Sequence, residues 1–517
     1  MGVLVVSSAL GGVALAIVAS GLGRTIAAPL LGMIVAFCAD LLFGLHEAKA
    51  LLAIVPVLCG GIAWMLRDRV ATVVGVASGV LLASALVMAA FAAPDGAGTP
   101  EPPLAEVQEP ARQRALPVVL HLILDEHIGI DGIPREVDTD GAWARQVADF
   151  YVDRGFQIYR DAYSEYVDTR ISISELLNFS SDGDEHAHLL AGDGEPYVLK
   201  DGAYFKRLAA RGYRLNVYQS DYMDFCHVPG IRYSSCTTYS AHRIGALDRT
   251  PLDALTRARF IANSLLEGSA YLRKFRQSYE NARRSYPGLA LRPWAIPVSR
   301  LGPIPVLGVI DRLEADLRKA RRGELFFAHL LIPHYPYVLD PLCSIRQDLN
   351  DWLYNSTSVT LDRHVSNTPG GRITRYRRYF AQILCQQRLL DRLFDAMKKG
   401  GTWDDAVIIV HGDHGSRIVV NDPVAENAAR LTPADLRDAF STLFAWRSPG
   451  QRAGVLSGAR SLQGLLGDVL GVTTPRSSPR KVYLRSESGQ LVHYPLEASL
   501  LTARGGRTPE VLHMRRP

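Results

Sequence analysis

At 517 residues the chain is too long for one average domain, and 48% of it is hydrophobic with a mean hydropathy of +0.04, which is high for a wholly soluble protein. Its formal net charge of +5 is small for this length and forms no long basic block, so nucleic-acid binding has no support.

The apolar excess is concentrated at the front. Residues 3–23, 25–44, 50–66 and 70–93 are apolar segments, each close to the roughly 20 residues needed to span a bilayer. Four transmembrane helices over 1–93 are expected. The first has no basic leader and is followed directly by the others, which argues against a cleaved signal peptide. Arg24, Arg67 and Arg69 occupy the first and third connections, so those face the cytoplasm by the positive-inside rule. Both ends of the four-span region then lie outside, and the chain is expected in a plasma (inner) membrane as a multi-pass protein with its remainder periplasmic or extracellular. Asp40 lies near a span end, where its carboxylate reaches the interface.

Residues 94–115 are rich in Pro, Ala, Gly and Glu without periodicity and read as a linker. From 116 to 480 strands alternate with helices. The expected strands are 117–124, 213–219, 324–331, 405–411 and 441–446, with a short extended piece at 156–160. The expected helices are 141–154, 173–179, 202–211 and 373–398. Apolar strands alternating with helices predict an α/β domain whose sheet is mostly parallel and covered on both faces. Residues 245–320 are less regular and read as a helical excursion. Residues 372–379, ArgIleThrArgTyrArgArgTyr, head a helix and read as a solvated or membrane-facing surface. A strand pair and tail are expected over 481–517. Cys226 and Cys236 flank a Pro-Gly turn and could close a small disulfide loop, as suits an oxidising compartment.

Two strands end in ligand-type residues. ProValValLeuHisLeuIleLeu, 117–124, runs into Asp125 and Glu126; ValIleIleVal, 407–410, runs into His411, Asp413 and His414 among glycines. Side chains beyond the carboxyl ends of parallel strands are where open α/β domains place their ligands, and carboxylates with imidazole suit a metal.

LeuAspGluHisIleGlyIleAspGly (124–132), HisLeuLeuIleProHisTyrProTyr (329–337) and HisGlyAspHisGly (411–415) together resemble the alkaline phosphatase and sulfatase superfamily. Within it the chain most resembles the membrane-anchored sulfatase-like proteins and the phosphoethanolamine or phosphoglycerol transferases. The resemblance covers about residues 116–450. It implies an alkaline phosphatase-like α/β/α domain with a divalent metal (Zn, Mn, Mg or Ca) held by Asp125, Glu126, Asp413 and His414. It also implies a hydroxyl nucleophile at the start of a helix, for which Thr169 matches best and Ser172 is the rival. His334 matches a histidine that contacts the substrate anion or the leaving group, while Arg170 and Arg417 are candidates to hold anion oxygens, as is Ser172. His329 reads as a core histidine and His411 as a residue that orients ligands.

Two departures from the family pattern matter. No Cys/Ser-x-Pro/Ala-x-Arg motif stands where sulfatases form formylglycine, which disfavours that chemistry. No histidine follows His414 before His493, although the membrane transferases usually carry a further zinc ligand there, so one ion is expected rather than two. The resemblance thus implies transfer of a phospho-head group from a phospholipid donor to an envelope glycan or glycolipid through a threonine intermediate. The alternatives are a sulfatase or phosphodiesterase acting on envelope glycans, and an inactive scaffold of the same fold.

Overall fold

The computed structural model describes residues 116–181, 184, 187–190, 196–239, 278, 302–346, 369–474, 480–486 and 488–496. The chain divides into two compact units, Met1–Gln108 with Ala258–Pro297, and Glu109–Arg257 with Val298–Pro517; the account below concerns the second. The four expected spans and the linker lie outside the described residues. Among those described, no helix is long and apolar enough to cross a membrane.

One sheet organises the unit. Its strands are β1 (Val119–Leu124), β2 (Gln157–Tyr159), β3 (Arg214–Ser220), β4 (Ser235–Tyr239), β5 (Glu324–Leu330), β6 (Val407–Gly412), β7 (Phe444–Arg447) and β8 (Gly454–Leu456). They lie in the order β8-β2-β7-β6-β1-β5-β3-β4. The pairs β1–β5, β1–β6, β3–β5, β3–β4 and β2–β8 are parallel, and only β7 runs against its neighbours β6 and β2. Every residue of β1 is buried, as expected of a central parallel strand covered on both faces.

The helices are α1 (Ala142–Val152), α2 (Thr169–Asn178), α3 (Ala203–Arg211), α4 (Pro303–Leu317), α5 (Pro369–Lys399), α6 (Pro433–Phe440) and α7 (Leu462–Leu470). Ile173, Leu176 and Leu177 of α2, Phe205 and Leu208 of α3, and Leu465 and Leu466 of α7 share one core with Ile123, Val217, Phe327 and Ile409 of the sheet. On β3 the next residue, Tyr218, points to the opposite face, and its hydroxyl donates to Asp316 of α4 at 2.6 Å. Phe394 of α5 packs on Phe150 of α1 and on Phe156, with ring centroids 6.5 and 5.5 Å apart. Strands β9 (Lys481–Arg485) and β10 (Leu491–Pro495) form a separate antiparallel pair.

Three expectations need correction. Helix α2 begins at Thr169 rather than 173, because the Asp168 side chain caps it by accepting the Arg170 N–H; residues 169–172 are its first turn. Strand β7 begins at Phe444, since Ser441 and Thr442 instead bridge Tyr163 and Ile128. The start of α5 is not simply a surface: Arg372, Tyr376 and Tyr379 are buried, and only the intervening residues face outward. Sulfur pairs are Cys226 with Cys236 and Cys343 with Cys385, their Cα atoms 6.2 and 4.9 Å apart. The second joins the segment after β5 to α5.

Candidate metal and nucleophile site

Register builds the site. Leu124 lies beside Leu330 on one side and Gly412 on the other, so Asp125 and Asp413 leave the sheet at the same level of the same edge. The Asp125 N–H donates to the Leu330 carbonyl at 3.0 Å. Asp413 Oδ1 accepts from the backbone N–H of both Glu126 and His414, each at 3.0 Å. That fixes the carboxylate and leaves Oδ2 as the outward oxygen.

His414 is set just as firmly. Its Nδ1 lies 2.9 Å from the Gly415 carbonyl, which can only accept, so Nδ1 carries the proton and Nε2 presents a lone pair. Nε2 is 3.1 Å from Asp413 Oδ2 and 4.0 Å from Asp125 Oδ1. Ligand atoms of Asp125, Asp413 and His414 all fall within 4.8 Å of one another. All three residues are buried, and Asp125 Oδ1 and Asp413 Oδ2 have no hydrogen-bond partner. Two orphaned carboxylate oxygens and one imidazole lone pair, out of water and facing each other, are a costly arrangement without a cation. They fit a divalent metal with mixed oxygen and nitrogen preference.

Burial, followed by the charge of Asp413, pushes Asp125 up to about 7. Burial acts the same way on Asp413, but His414, His329 and the Glu126 N–H outweigh it and hold Asp413 below the usual carboxylate range. Two adjoining carboxylates separated this way need positive charge to ionise together.

Thr169, the first residue of α2, brings its Oγ1 to 3.1 Å from His414 Nε2. Ser172, one turn on, donates to the Asp413 carbonyl at 2.6 Å and lies 2.9 Å from Ser164 Oγ; it supports the Asp413 loop. Arg170 pairs with its own cap, Nε to Asp168 Oδ1 at 3.1 Å, and its guanidinium lies 5.2 Å from the Tyr197 ring centroid.

Glu126 stands outside the three-residue cluster. Its Oε1 accepts from Arg417 Nε at 3.1 Å and lies 3.6 Å from His334 Nε2, while Oε2 accepts from the Tyr335 N–H at 3.3 Å. Burial alone would raise Glu126, but His334 and Arg417 reverse the direction and keep it ionised. His334 Nδ1 donates to the Tyr335 carbonyl, which leaves Nε2 turned toward Glu126.

His411 takes no place among the ligands. Its Nδ1 donates to the Gly412 carbonyl at 2.7 Å, and its Nε2 faces His121 Nε2 at 2.8 Å. His121 Nδ1 in turn accepts from the Tyr204 hydroxyl at 2.7 Å. His329, which reads as a core histidine in sequence, is indeed fully buried, but neither ring nitrogen has a hydrogen-bond partner and Nε2 lies 3.5 Å from Asp125 Oδ2, so it also faces the site. The signal available was its place at the end of β5, one strand from Asp125.

No family model matches the sequence, and no curated protein matches it. Among solved structures the chain is similar to the C-terminal periplasmic domain of EcEptC from Escherichia coli in complex with Zn, at 10% identity over 73% of this chain and 92% of that one, with a TM-score of 0.41. It is also similar to the phosphonate monoester hydrolase of Agrobacterium radiobacter, at 14% identity over 71% and 80% with a TM-score of 0.40. A third is Ps i-CgsB in complex with k-i-k-neocarrahexaose, at 13% identity over 70% and 73% with a TM-score of 0.38. At these identities and scores the likeness carries no argument about chemistry or fold, which rest on the sheet and on the side chains at its edge.

Proposed function

We propose that the protein is a metal-dependent enzyme that moves a phospho-head group from a phospholipid to an envelope glycan or glycolipid through Thr169. One observation carries this reading: the Thr169 hydroxyl sits beside a lone-pair nitrogen and two orphaned carboxylate oxygens of a cation site. A divalent ion there, held by Asp125, Asp413 and His414, would lower the hydroxyl pKa and neutralise the charge of the substrate anion. Zinc or manganese suits the mixed donor set best.

In the first half-reaction the Thr169 hydroxyl releases its proton to solvent water, its oxygen forms the bond to phosphorus, and the bond from phosphorus to the diacylglycerol oxygen breaks. His334 Nε2 gives that departing oxygen its proton. In the second, an acceptor hydroxyl attacks the phosphothreonine and passes its proton to His334, while the bond from phosphorus to Thr169 breaks and the Thr169 oxygen takes a proton back from solvent water. The hydroxyl nucleophile and the missing formylglycine motif favour phosphorus over sulfur. The four apolar segments and short tether in the sequence favour a lipid donor and a domain outside the cytoplasmic face; the two disulfides fit that oxidising side.

Mass spectrometry of peptides from the detergent-purified full chain, incubated with phospholipid vesicles and Zn2+ or Mn2+, tests the reading. The expected result is an adduct on Thr169 whose mass gives the head group, absent from Asp413→Ala. Bound metal with no adduct, and release of free head group into water, would overturn transfer in favour of hydrolysis; absence of bound metal would overturn both.

A further inference from the structure

One stripe of α5 holds all three site loops. Arg372, Tyr376, Tyr379 and Gln382 follow at spacings of four, three and three, which aligns them on one helix face, and all four are buried. Arg372 Nε donates to the Ile418 carbonyl at 2.8 Å, and the Tyr376 hydroxyl lies 2.9 Å from Ser416 Oγ; both residues also pair with Asp438. These two hold the loop that carries Asp413 and His414. The Tyr379 hydroxyl donates to the Glu126 carbonyl at 2.6 Å and accepts from the Ile128 N–H at 2.8 Å, which holds the loop after Asp125.

Gln382 holds the third loop. Its Nε2 donates to the carbonyls of Pro333 and His334 at 3.0 and 2.8 Å, and its Oε1 accepts from the N–H groups of Val338 and Leu339 at 3.0 and 3.2 Å. A primary amide has two N–H donors and two acceptor lone pairs; here all are spent on irregular backbone around His334. Gln382 is fully buried, with 0% exposure, so this hydrogen bonding is what makes a polar group tolerable there. Three residues further along α5, the Cys385–Cys343 bond pins the end of the same segment.

We propose that Gln382 is the positioning residue for His334, acting through the backbone of 333–339 and independently of the metal loop. This rests on the reading of His334 as the acid that protonates the leaving oxygen. A misplaced acid penalises poor leaving groups and spares good ones, because p-nitrophenolate departs without a proton while an alkoxide does not. A general loss of structure would lower both rates alike.

The test compares Gln382→Met, which is close in size, with Tyr376→Phe in the Mn2+-loaded full chain. Substrates are two phosphodiesters that differ only in a p-nitrophenyl or an alkyl leaving group. Gln382→Met should lose on the order of 100-fold in kcat/KM with the alkyl leaving group and less than about threefold with p-nitrophenyl, with Mn2+ affinity by calorimetry unchanged. Equal losses on both substrates, or weakened Mn2+ binding, would overturn the proposal. If wild type turns over neither diester, the proposed function fails, and hydrogen exchange still decides the inference. Gln382→Met should speed exchange in peptides covering 331–346 and not in those covering 411–419, with Tyr376→Phe doing the reverse. Uniform change, or none, sinks it. Should Gln382→Met fail to fold, Gln382→Glu, which keeps the acceptor for Val338 and Leu339 but lacks the two donors, is read by the same measurements.

Discussion

Glu126 and Arg417 clasp each other across the ends of two neighbouring strands, and each does so from a left-handed backbone, φ being 64° and 53°. For residues other than glycine that conformation costs roughly 1 to 2 kcal/mol each, and it persists only where the surroundings over-determine it. Here they do. Tyr379 takes the Glu126 carbonyl, and the Arg417 N–H donates to the Asp438 carbonyl at 3.1 Å. The two turns that follow Asp125 and Asp413 are thereby locked to each other, which fixes the spacing of the two carboxylates.

Removing one partner of this pair should therefore be severe. Glu126 is 1% exposed at its side chain and Arg417 20%, so Arg417→Met leaves a buried carboxylate without its guanidinium, faced only by His334 and the Tyr335 N–H, at a cost of roughly 3 kcal/mol. Adding Glu126→Gln to that variant should recover part of the loss. Urea denaturation of the two single variants and the double variant measures it, and strictly additive losses would show the pair to be uncoupled.

Metal binding should depend steeply on pH because Asp125 sits at about 7. A protonated carboxyl is a poor ligand, so apparent affinity for Zn2+ or Mn2+ should fall by up to about tenfold per pH unit below 7. In the metal-free protein a folded carboxyl held above its unfolded value binds protons more tightly when folded, so Asp125 by itself contributes increasing stability as pH falls from about 7 toward 4. The buried His127, His329 and His411, held down to about 4, act in the opposite direction. Calorimetric titration with metal, and thermal melts without it of wild type and Asp125→Asn, both across pH 5 to 8, separate the two. Metal-free wild type should gain stability relative to Asp125→Asn as pH falls, and a pH-independent difference would contradict this account.

Asp125 and Asp413 were legible in sequence as strand-end carboxylates because they follow apolar strands whose burial is unambiguous, and the register of β1 against β6 then brings the two together; Glu126, expected beside them, turns instead to Arg417 and His334. Less could be read of what holds them. Arg372, Tyr376, Tyr379 and Gln382 sit among Arg375, Arg377 and Arg378, so local polarity gives the appearance of a solvated helix face; only the helical phase, with α5 against the loops, separates buried from exposed members. The start of α2 was only partly legible: apolar spacing begins the helix at about 173, while the family resemblance sets Thr169 at a helix start, and the Asp168 cap is what extends the helix back to it. His329 looked like core because it lies within an apolar strand, and its empty nitrogens are visible only once Asp125 is beside it.

Gly415 gives a sharp test of loop geometry. A Cβ there would collide with the Asp438 carbonyl oxygen and with the backbone of Ala439, neither of which can swing aside. The Gly415 N–H also donates to the Ala439 carbonyl at 2.9 Å. Gly415→Ala should shift the 413–417 loop and weaken metal binding on the order of 10- to 100-fold, as losses of ligand support typically do. Equilibrium dialysis against Zn2+ reads this directly; near-wild-type affinity would mean that the loop accommodates the methyl group.

The Cys343–Cys385 bond closes a stretch with a sequence separation of 42, and by chain-entropy reasoning such a crosslink is worth about 4 kcal/mol. Cys343 follows the His334 segment by a few residues, and Cys385 lies just past the stripe of α5 that holds that segment. Cys343→Ser/Cys385→Ser should therefore lower stability to urea by about that amount and speed hydrogen exchange over 338–346. The metal cluster should bind Zn2+ as before, because none of its three ligands lies on that segment. Loss of the cluster together with the crosslink would show that the fold around β5 reaches the metal edge as one cooperative unit, whereas intact metal binding with a loosened His334 segment would show that the two halves of the site are held separately.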